Sequence, residues 1–426
     1  MSSSADVLSS VASDYGTPAY VYDTDIISER FAKLNSLFGA RFGVSYAVKA
    51  NPNLGLLKHM APLVETFDVS SYQEVERVLS IGFPAARITF SGPAKRAAEV
   101  RGAVALGVGE LVLESLAEAK IAAQAATDRG VRQPVLVRIN PATGPKSFGV
   151  NFSGKASQFG VDEEEIAQIL PQIAALPGLD LVGFHIYSGT NSLDAQAITD
   201  NFTIFIRIFK AAAELCQIQP RKLVFGSGFG LPYNDGAQPL DVDALAELAC
   251  PLIDALKAEP RFAKAECVLE MGRWLVGPAG WLLTSVVAAK KSRGVEIRMC
   301  DAGFNNHLAA FGLMGTVLRR NWSISNVSRP NAEAGTYTLV GPLCTSIDLL
   351  ATAISLPQVD VGDVLAISNS GAYGLTSSPT RFISHPEPVE ILLVKGQAVD
   401  VTESALNTWT LIDKNGDLLP AAQAAQ

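Results

Sequence analysis

The stretch Ser45-Tyr46-Ala47-Val48-Lys49-Ala50-Asn51 decides how this chain is read. Residues Gly43 to Val48 have the make-up of a short buried strand, and a lysine stands just past its C-terminal end. Such a lysine is either a solvated strand cap or an amine set at the mouth of a core. In the second case burial disfavours the ammonium and depresses its pKa, which is what an imine-forming amine needs. The stretch alone fits both descriptions, so its neighbours decide.

Around it, short apolar runs alternate with helical patterns. The strand candidates are Val44–Val48, Thr66–Val69, Ile88–Phe90, Leu111–Leu113, Val135–Ile139, Leu181–Ile186, Leu223–Phe225 and Cys267–Leu269. Apolar residues at three- and four-residue spacing predict helices over Gln73–Ile81, Ala94–Val104, Leu116–Ala126, Asp162–Leu176, Ala195–Leu215 and Val242–Leu256. Eight β runs, each but the last followed by a helix, imply parallel strands, and eight closes a (β/α)8 barrel of the TIM type. An open doubly wound sheet is the alternative, but the first strand-to-helix turn holds no G-x-G-x-x-G. Upstream, residues 1–14 predict a short helix, Ala19–Tyr22 a strand and Asp25–Phe38 a helix. After Gly272 the texture turns to β, with runs at Leu282–Ala289, Val295–Met299, Tyr337–Val340, Val364–Ile367, Val389–Val394 and Trp409–Ile412 and turns at Ser292-Arg-Gly and Asn415-Gly. The expected organisation is a barrel over 24–275, an all-β domain (barrel or sandwich) made of 1–23 plus 276–412, and a flexible tail over 413–426.

Composition narrows the function. The chain has 426 residues, 48% hydrophobic and 18% charged, with a net charge of −8. Its basic residues form no stripe, which argues against nucleic acid. Cys216, Cys250, Cys267, Cys300 and Cys344 are scattered with no metal-ligand spacing, so no metal is expected and the thiols read as reduced, in the cytoplasm. The N-terminus lacks the pattern of a signal peptide, and no apolar run approaches the ~18 residues of a membrane span.

Chemistry-bearing residues cluster where the barrel strands end, which is the catalytic face of this fold. Lys49 follows the first strand, Asp68 lies near the end of the second, and Arg138 near the end of the fifth. His185 and Ser188 mark the sixth, Gly226-Ser-Gly-Phe-Gly230 the seventh, and Glu270-Met-Gly-Arg273 the eighth. The glycine loop offers converging N–H groups to a phosphate, and Arg273 beside it adds a charge-assisted bond. A phosphate cradle plus a strand-end lysine points to pyridoxal 5′-phosphate, with His185 suited to stack on the ring and Glu270 to pair with the pyridine nitrogen.

These motifs, together with Phe67-Asp-Val-Ser-Ser-Tyr-Gln-Glu74, Gly341-Pro-Leu-Cys344 and Gly371-Ala-Tyr373-Gly374, resemble those of the fold type III pyridoxal-phosphate decarboxylases, the family of the ornithine, arginine and diaminopimelate enzymes. The resemblance covers roughly 17–395. It implies that Lys49 forms the Schiff base, His185 stacks on the ring and Glu270 holds the pyridine nitrogen. It also implies that Ser188, Arg273 and Tyr373 hold the phosphate, with Gly226, Ser227, Gly228, Phe229, Gly230 and Gly272 contributing backbone. Asp68, Glu74 and Arg138 would form a supporting shell. Cys344 would reprotonate Cα of the quinonoid that forms when carbon dioxide leaves, with Thr345 and Asp348 beside it facing the substrate. In the family Cys344 and Asp348 come from a second subunit, so a head-to-tail homodimer is implied.

Departures concern the substrate. Cys344-Thr-Ser-Ile-Asp348 replaces the Cys-Glu-Ser-Gly-Asp of diaminopimelate enzymes, and Asp301-Ala-Gly-Phe-Asn-Asn-His307 is not followed by their Arg-Pro and Tyr. Thr345 also cannot hold a terminal amine as the acidic residue of ornithine enzymes does. His185-Ile-Tyr-Ser-Gly-Thr-Asn191, Gly341-Pro-Leu-Cys-Thr345 and Asn369-Ser-Gly-Ala-Tyr-Gly-Leu375 are closer to secondary-metabolism decarboxylases such as the butirosin-pathway carrier-protein-linked glutamyl decarboxylase. That likeness implies an amino acid tethered to an acyl carrier protein, met by Arg319 and Arg320 or by Lys290 and Lys291. The alternatives are a decarboxylase of free diaminopimelate or another basic amino acid, a racemase, which Glu270 and Cys344 disfavour, and a non-catalytic pyridoxal-phosphate-binding homologue.

Overall fold

The computed structural model describes residues 4–144, 148–151, 153–313, 320–403, 411–412 and 418–419. The parallel strands Gly43–Ala47, Thr66–Val69, Ile88–Phe90, Glu110–Leu113, Gln133–Asn140, Leu179–Ile186, Lys222–Gly226 and Glu266–Met271 pair in chain order. The last returns to the first through Leu269↔Val44 and Glu270↔Ser45, which closes the barrel. Val112, Leu136, Val182, Val224 and Val268, one from each of strands four to eight, form their own buried apolar cluster inside it. The outward residues pack under the helices. On Ala195–Leu215, Phe202, Phe205 and Phe209 share one face and meet Phe225 of the seventh strand at 5.3, 6.1 and 5.2 Å between ring centroids. Each fully buried phenylalanine contributes about 1.5–3 kcal/mol.

Two connections differ from expectation. The first strand is followed by the helix Leu54–Met60, whose short Leu-Gly-Leu-Leu pattern was not singled out. The eighth strand, expected to lack a helix, is followed by one turn, Arg273–Val276.

The strand-to-helix turns are set by short polar motifs. Ser71 caps the helix Tyr72–Ser80 by accepting from the Glu74 N–H, and Glu74 accepts from the Ser70 N–H at 2.7 Å. Ser115 and Glu118 repeat this at Leu116–Asp128, with Glu118 accepting from the Glu114 N–H at 2.9 Å. Caps of this kind are worth about 1 kcal/mol each, and they fix where each helix leaves the catalytic face.

A nine-stranded sheet forms the second unit. Ala19–Asp23 joins it, antiparallel to Gly280–Ser292 and parallel to Val389–Val394. The helix Ser4–Tyr15 lays Leu8, Val11 and Ala12 against Ala19, Val21, Leu283 and Ile391. The strand Leu349–Pro357, paired with Ala334–Val340, was missed because Ala and Thr interrupt its apolar alternation. Trp409, the Asn415-Gly turn and Arg319 lie outside the described residues. The expected flexible tail contains Leu418–Leu419, which pairs antiparallel with Leu411–Ile412. Among the described residues no helix is long and apolar enough to cross a membrane.

A buried ion pair braces the barrel mouth. The Lys95 side chain is 2% exposed, and its Nζ meets Glu118 Oε1 at 2.6 Å while donating to the carbonyls of Gly92 and Val112 at 2.7 and 2.8 Å. Burial raises the Glu118 carboxyl's pKa against the pull of Lys95. Lys95→Met leaves that carboxylate buried without its cation and is expected to cost about 3–5 kcal/mol in urea unfolding. An unchanged midpoint would remove the pair from the account of the fold.

Candidate active site

Lys49 sits in a 3-10 turn, Val48–Ala50, directly after the first barrel strand. Its Nζ lies 3.4 Å from Glu270 Oε1 and 3.6 Å from Asp68 Oδ2, with 41% of the side chain still accessible. Register brings the three together: Glu270 pairs with Ser45 on one side of the first strand, and Asp68 with Ala47 on the other. Glu270 Oε2 is 2.7 Å from His185 Nε2. His185 stands opposite Arg138 in the ladder, and Arg138 Nη1 is 3.2 Å from Glu114 Oε1.

The charges settle one another. Burial alone drives the Lys49 ammonium's pKa down, as the sequence led us to expect. The net displacement is nevertheless upward, because the carboxylates of Glu270 and Asp68 outweigh burial. The expectation of a depressed amine is therefore corrected: the same side chains that mark the site favour its charged form. Burial also favours the protonated form of Glu270, but Lys49 and then His185 hold its carboxyl well below the usual range. Asp68 is pushed up to about 8 by burial and by the charge of Glu270, against the pull of Lys49. His185 is lowered by burial, so its imidazole is neutral near pH 7, and its buried Nδ1 has no hydrogen-bond partner.

The seventh strand delivers the glycine loop. Gly228 has φ +66°, and a Cβ on it would lie 2.5 Å from the Phe148 ring, so backbone alone fits there. Gly230 N–H donates to Ser192 O at 2.8 Å, whereas the N–H groups of Gly228 and Phe229 make no backbone bond among the described residues. Arg273 opens the turn after the eighth strand. Its Nη1 donates to Tyr233 Oη at 2.6 Å, and its guanidinium carbon lies 4.7 Å from the Tyr373 ring centre. Tyr373 holds φ +52° and donates its N–H to Ala50 O at 2.8 Å, which ties it to the lysine turn. A non-glycine residue in that region stores strain, and such strain collects at functional sites.

Several expected residues face elsewhere. Ser188 is fully buried and donates its hydroxyl to Asn201 Oδ1 at 2.7 Å, so that hydroxyl is not free for a phosphate. Ser227 donates its hydroxyl to Glu270 O at 2.8 Å and serves to tie the loop to the last strand. Arg138 turns to Glu114 and to the Phe159 ring at 4.4 Å, and it does not line the cleft. Asp348, expected to face the substrate, is buried, and its two oxygens accept from the N–H groups of Phe304 and Leu343, each at 2.8 Å. Its carboxylate shapes the loop that carries Cys344. Cys344 itself is exposed, and neither it nor Thr345 lines the cleft of its own chain. Conversely, Tyr187, Thr190, Met271 and Trp274 line the cleft, and Tyr233 reaches Arg273, without having been singled out. The signal for Tyr187 was its place two residues beyond His185. Tyr233 carried only its nearness to the glycine loop.

A phosphorylated aldehyde fits this arrangement. A cleft at the strand ends is lined by Lys49, Ser227, Gly228, Phe229, Glu270 and Arg273. It thus presents an amine, an anion partner and an anion cradle within one space.

Comparison with known proteins agrees. Residues 24–277 match the family described as pyridoxal-dependent decarboxylase, pyridoxal binding domain. The chain is 30% identical over 410 residues to the L-glutamyl-[BtrI acyl-carrier protein] decarboxylase of Niallia circulans, covering 92% of this chain and 95% of that one. It is 32% identical to the diaminopimelate decarboxylase of Vibrio cholerae, covering 95% and 94%. The solved diaminopimelate decarboxylase of Helicobacter pylori complexed with L-lysine superposes with TM-score 0.83 at 27% identity, covering 93% and 96%. With a matched barrel, relatives aligned over nearly their whole length and a cleft that suits the group, the chain belongs to the pyridoxal-dependent decarboxylases, and pyridoxal 5′-phosphate is its cofactor.

Proposed function

We propose that the enzyme removes the α-carboxylate of an amino acid whose side chain ends in a linkage without free charge, such as one tethered through its side-chain carboxyl to an acyl carrier protein. The observation that carries this is the fate of Asp348. It is 3% exposed and each of its oxygens already accepts a backbone N–H, an arrangement that favours a structural role over pairing with a distal ammonium. Thr345 follows Cys344 where an acid would be needed. The charged residues lining the cleft are Lys49, Glu270 and Arg273, and each has a cofactor role. The likeness to the Niallia circulans enzyme, which by its name acts on a carrier-bound glutamyl group, supports the same reading. Arg320, Lys290 and Lys291 are exposed and offer positive charge to an acidic carrier, although Lys291 also meets Glu296 at 3.5 Å.

Bound pyridoxal phosphate supplies an electron sink conjugated to the substrate's Cα. The chain supplies the rest. Lys49 provides the amine to which the cofactor's aldehyde is joined, and it carries a proton until then. Glu270 stays anionic and so favours a protonated pyridine nitrogen, which deepens the sink. Neutral His185, buried beside Glu270, would hold that carboxylate in place without adding charge, and the backbone of Gly228 and Phe229 with Arg273 would hold the phosphate. Tyr187, Trp274 and Tyr373 line the same cleft and give it apolar walls.

Cys344 delivers the proton to Cα from a second copy of the chain. Its exposure and its absence from its own cleft support this, as does the apolar surface beside it: Ile347, Phe382 and Ile383 are 50%, 43% and 44% exposed. Phe382 stacks on Phe304, whose N–H is held by Asp348, so this patch and the cysteine loop are one surface.

Two experiments test the proposal. Carbon dioxide release is compared for a carrier-tethered or side-chain-amidated amino acid and for free diaminopimelate, lysine and ornithine. The modified substrate should lead in kcat/KM by about a hundredfold or more, some 2.7 kcal/mol of transition-state binding; a lead for a free diamine would overturn the substrate assignment. For the shared site, Lys49→Ala and Cys344→Ala should each lose turnover, while refolding the two together should restore about one quarter of wild-type activity, the share of intact sites in a randomly mixed twofold dimer. No recovery would place Cys344 outside a partner's site.

A further inference from the structure

Arg273 lines the same cleft as the glycine loop, yet among the described residues no carboxylate is paired with it. Its Nη1 donates to Tyr233 Oη at 2.6 Å, its buried Nε has no partner, and its guanidinium lies over the rings of Tyr373 and Tyr233 at 4.7 and 5.6 Å. A guanidinium has five donors in a fixed fork, and here most of them are left for an incoming acceptor. The side chain that aims the fork is a tyrosine.

Tyr233 is held mainly by the second unit of the fold. The Ser323 N–H donates to Tyr233 O at 3.0 Å, Ser323 Oγ donates to Asp235 Oδ1 at 2.8 Å, and Asn369 Nδ2 donates to Pro232 O at 2.9 Å. The Trp322 ring lies 4.3 Å from the Tyr233 ring, and Trp322 Nε1 donates to Ser368 O at 2.6 Å. The segment from Pro232 to Asp235 is thus sewn to Trp322, Ser323 and Asn369, and the arginine takes its direction from that seam.

We propose that Tyr233 is a positioning residue for phosphate capture: it presets the Arg273 fork toward a phosphate monoester, so that tight cofactor binding depends on the docking of the β sheet against the barrel mouth. This rests on the reading that Arg273 faces the cofactor's phosphate. The physical content is preorganisation. A long, rotamer-rich side chain that is already aligned loses less freedom when it binds than one that must be ordered at that moment.

The test uses affinity for two aldehydes that differ only in the phosphate. Cofactor-free protein is titrated with pyridoxal phosphate and with pyridoxal, following the near-visible absorbance of the Lys49-bound form. Tyr233→Phe should weaken pyridoxal phosphate about tenfold, equivalent to about 1.4 kcal/mol, and leave pyridoxal within twofold. In a double-mutant cycle with Arg273→Ala, Tyr233→Phe should add little further loss, because both act through one contact. Equal weakening of both aldehydes would mean a general structural role, and full additivity would mean that Tyr233 does not act through Arg273; either overturns the proposal. If the unsubstituted protein bound pyridoxal but gained nothing from the phosphate, the Arg273 reading would fail instead. If it bound neither, the Lys49 assignment would fall and this proposal with it.

Discussion

The arrangement depends on one carboxylate kept ionised where burial opposes it. Glu270 reaches the barrel mouth from the last strand, with His185 2.7 Å from one oxygen and Lys49 3.4 Å from the other. Burying a lone carboxylate is costly, and its neighbours determine whether it stays charged. Here Lys49 supplies the main compensation, and Glu270 reciprocally keeps Lys49 protonated. The pair therefore stores opposite tendencies. A cation that took over Glu270 would remove the largest upward influence on Lys49 and leave mainly Asp68 to oppose burial, which favours the neutral amine that carbonyl chemistry requires. Asp68, 3.6 Å from Lys49 on the other side of the same strand, is pushed up to about 8 by burial and by Glu270.

The barrel was legible because its signal is repeated. Eight short β runs at regular intervals have few other arrangements open to them, and every one became a strand within a residue or two of its expected ends. The convergence of Lys49, Asp68, His185, Glu270 and the glycine loop followed from strand ends alone, since a parallel barrel brings those ends to one face. The weaker elements escaped for physical reasons. Leu54–Met60 is too short for its period to show, and Leu349–Pro357 alternates imperfectly because the register shifts against its partner place extra residues in this strand, with Ala353 at φ +48°.

Hydrogen-bond commitments and net electrostatics were not legible. Residue type shows that Ser188, Ser227 and Asp348 are capable of binding a ligand, but only packing shows that Asn201, the Glu270 carbonyl and two loop N–H groups already hold them. The direction of the Lys49 shift likewise depended on distances to two carboxylates that no spacing rule supplies. Tyr187 and Tyr233 were hidden because their positions relative to Gly226 and Arg273 arise from loops, not from strand register. The substrate reading turns on the same kind of fact: an acid retained in the sequence, Asp348, whose oxygens are turned inward.

Glu270 governs the charge of Lys49, and titration of the Lys49 side chain by NMR in the cofactor-free protein, with and without Glu270→Gln, measures this directly. The account predicts that the lysine in the unsubstituted protein is still mainly protonated at pH about 10.4, the ordinary midpoint for lysine, and that the substitution moves its titration to lower pH. A Lys49 that titrates below the ordinary lysine midpoint in the unsubstituted protein, or that is indifferent to Glu270→Gln, would contradict it.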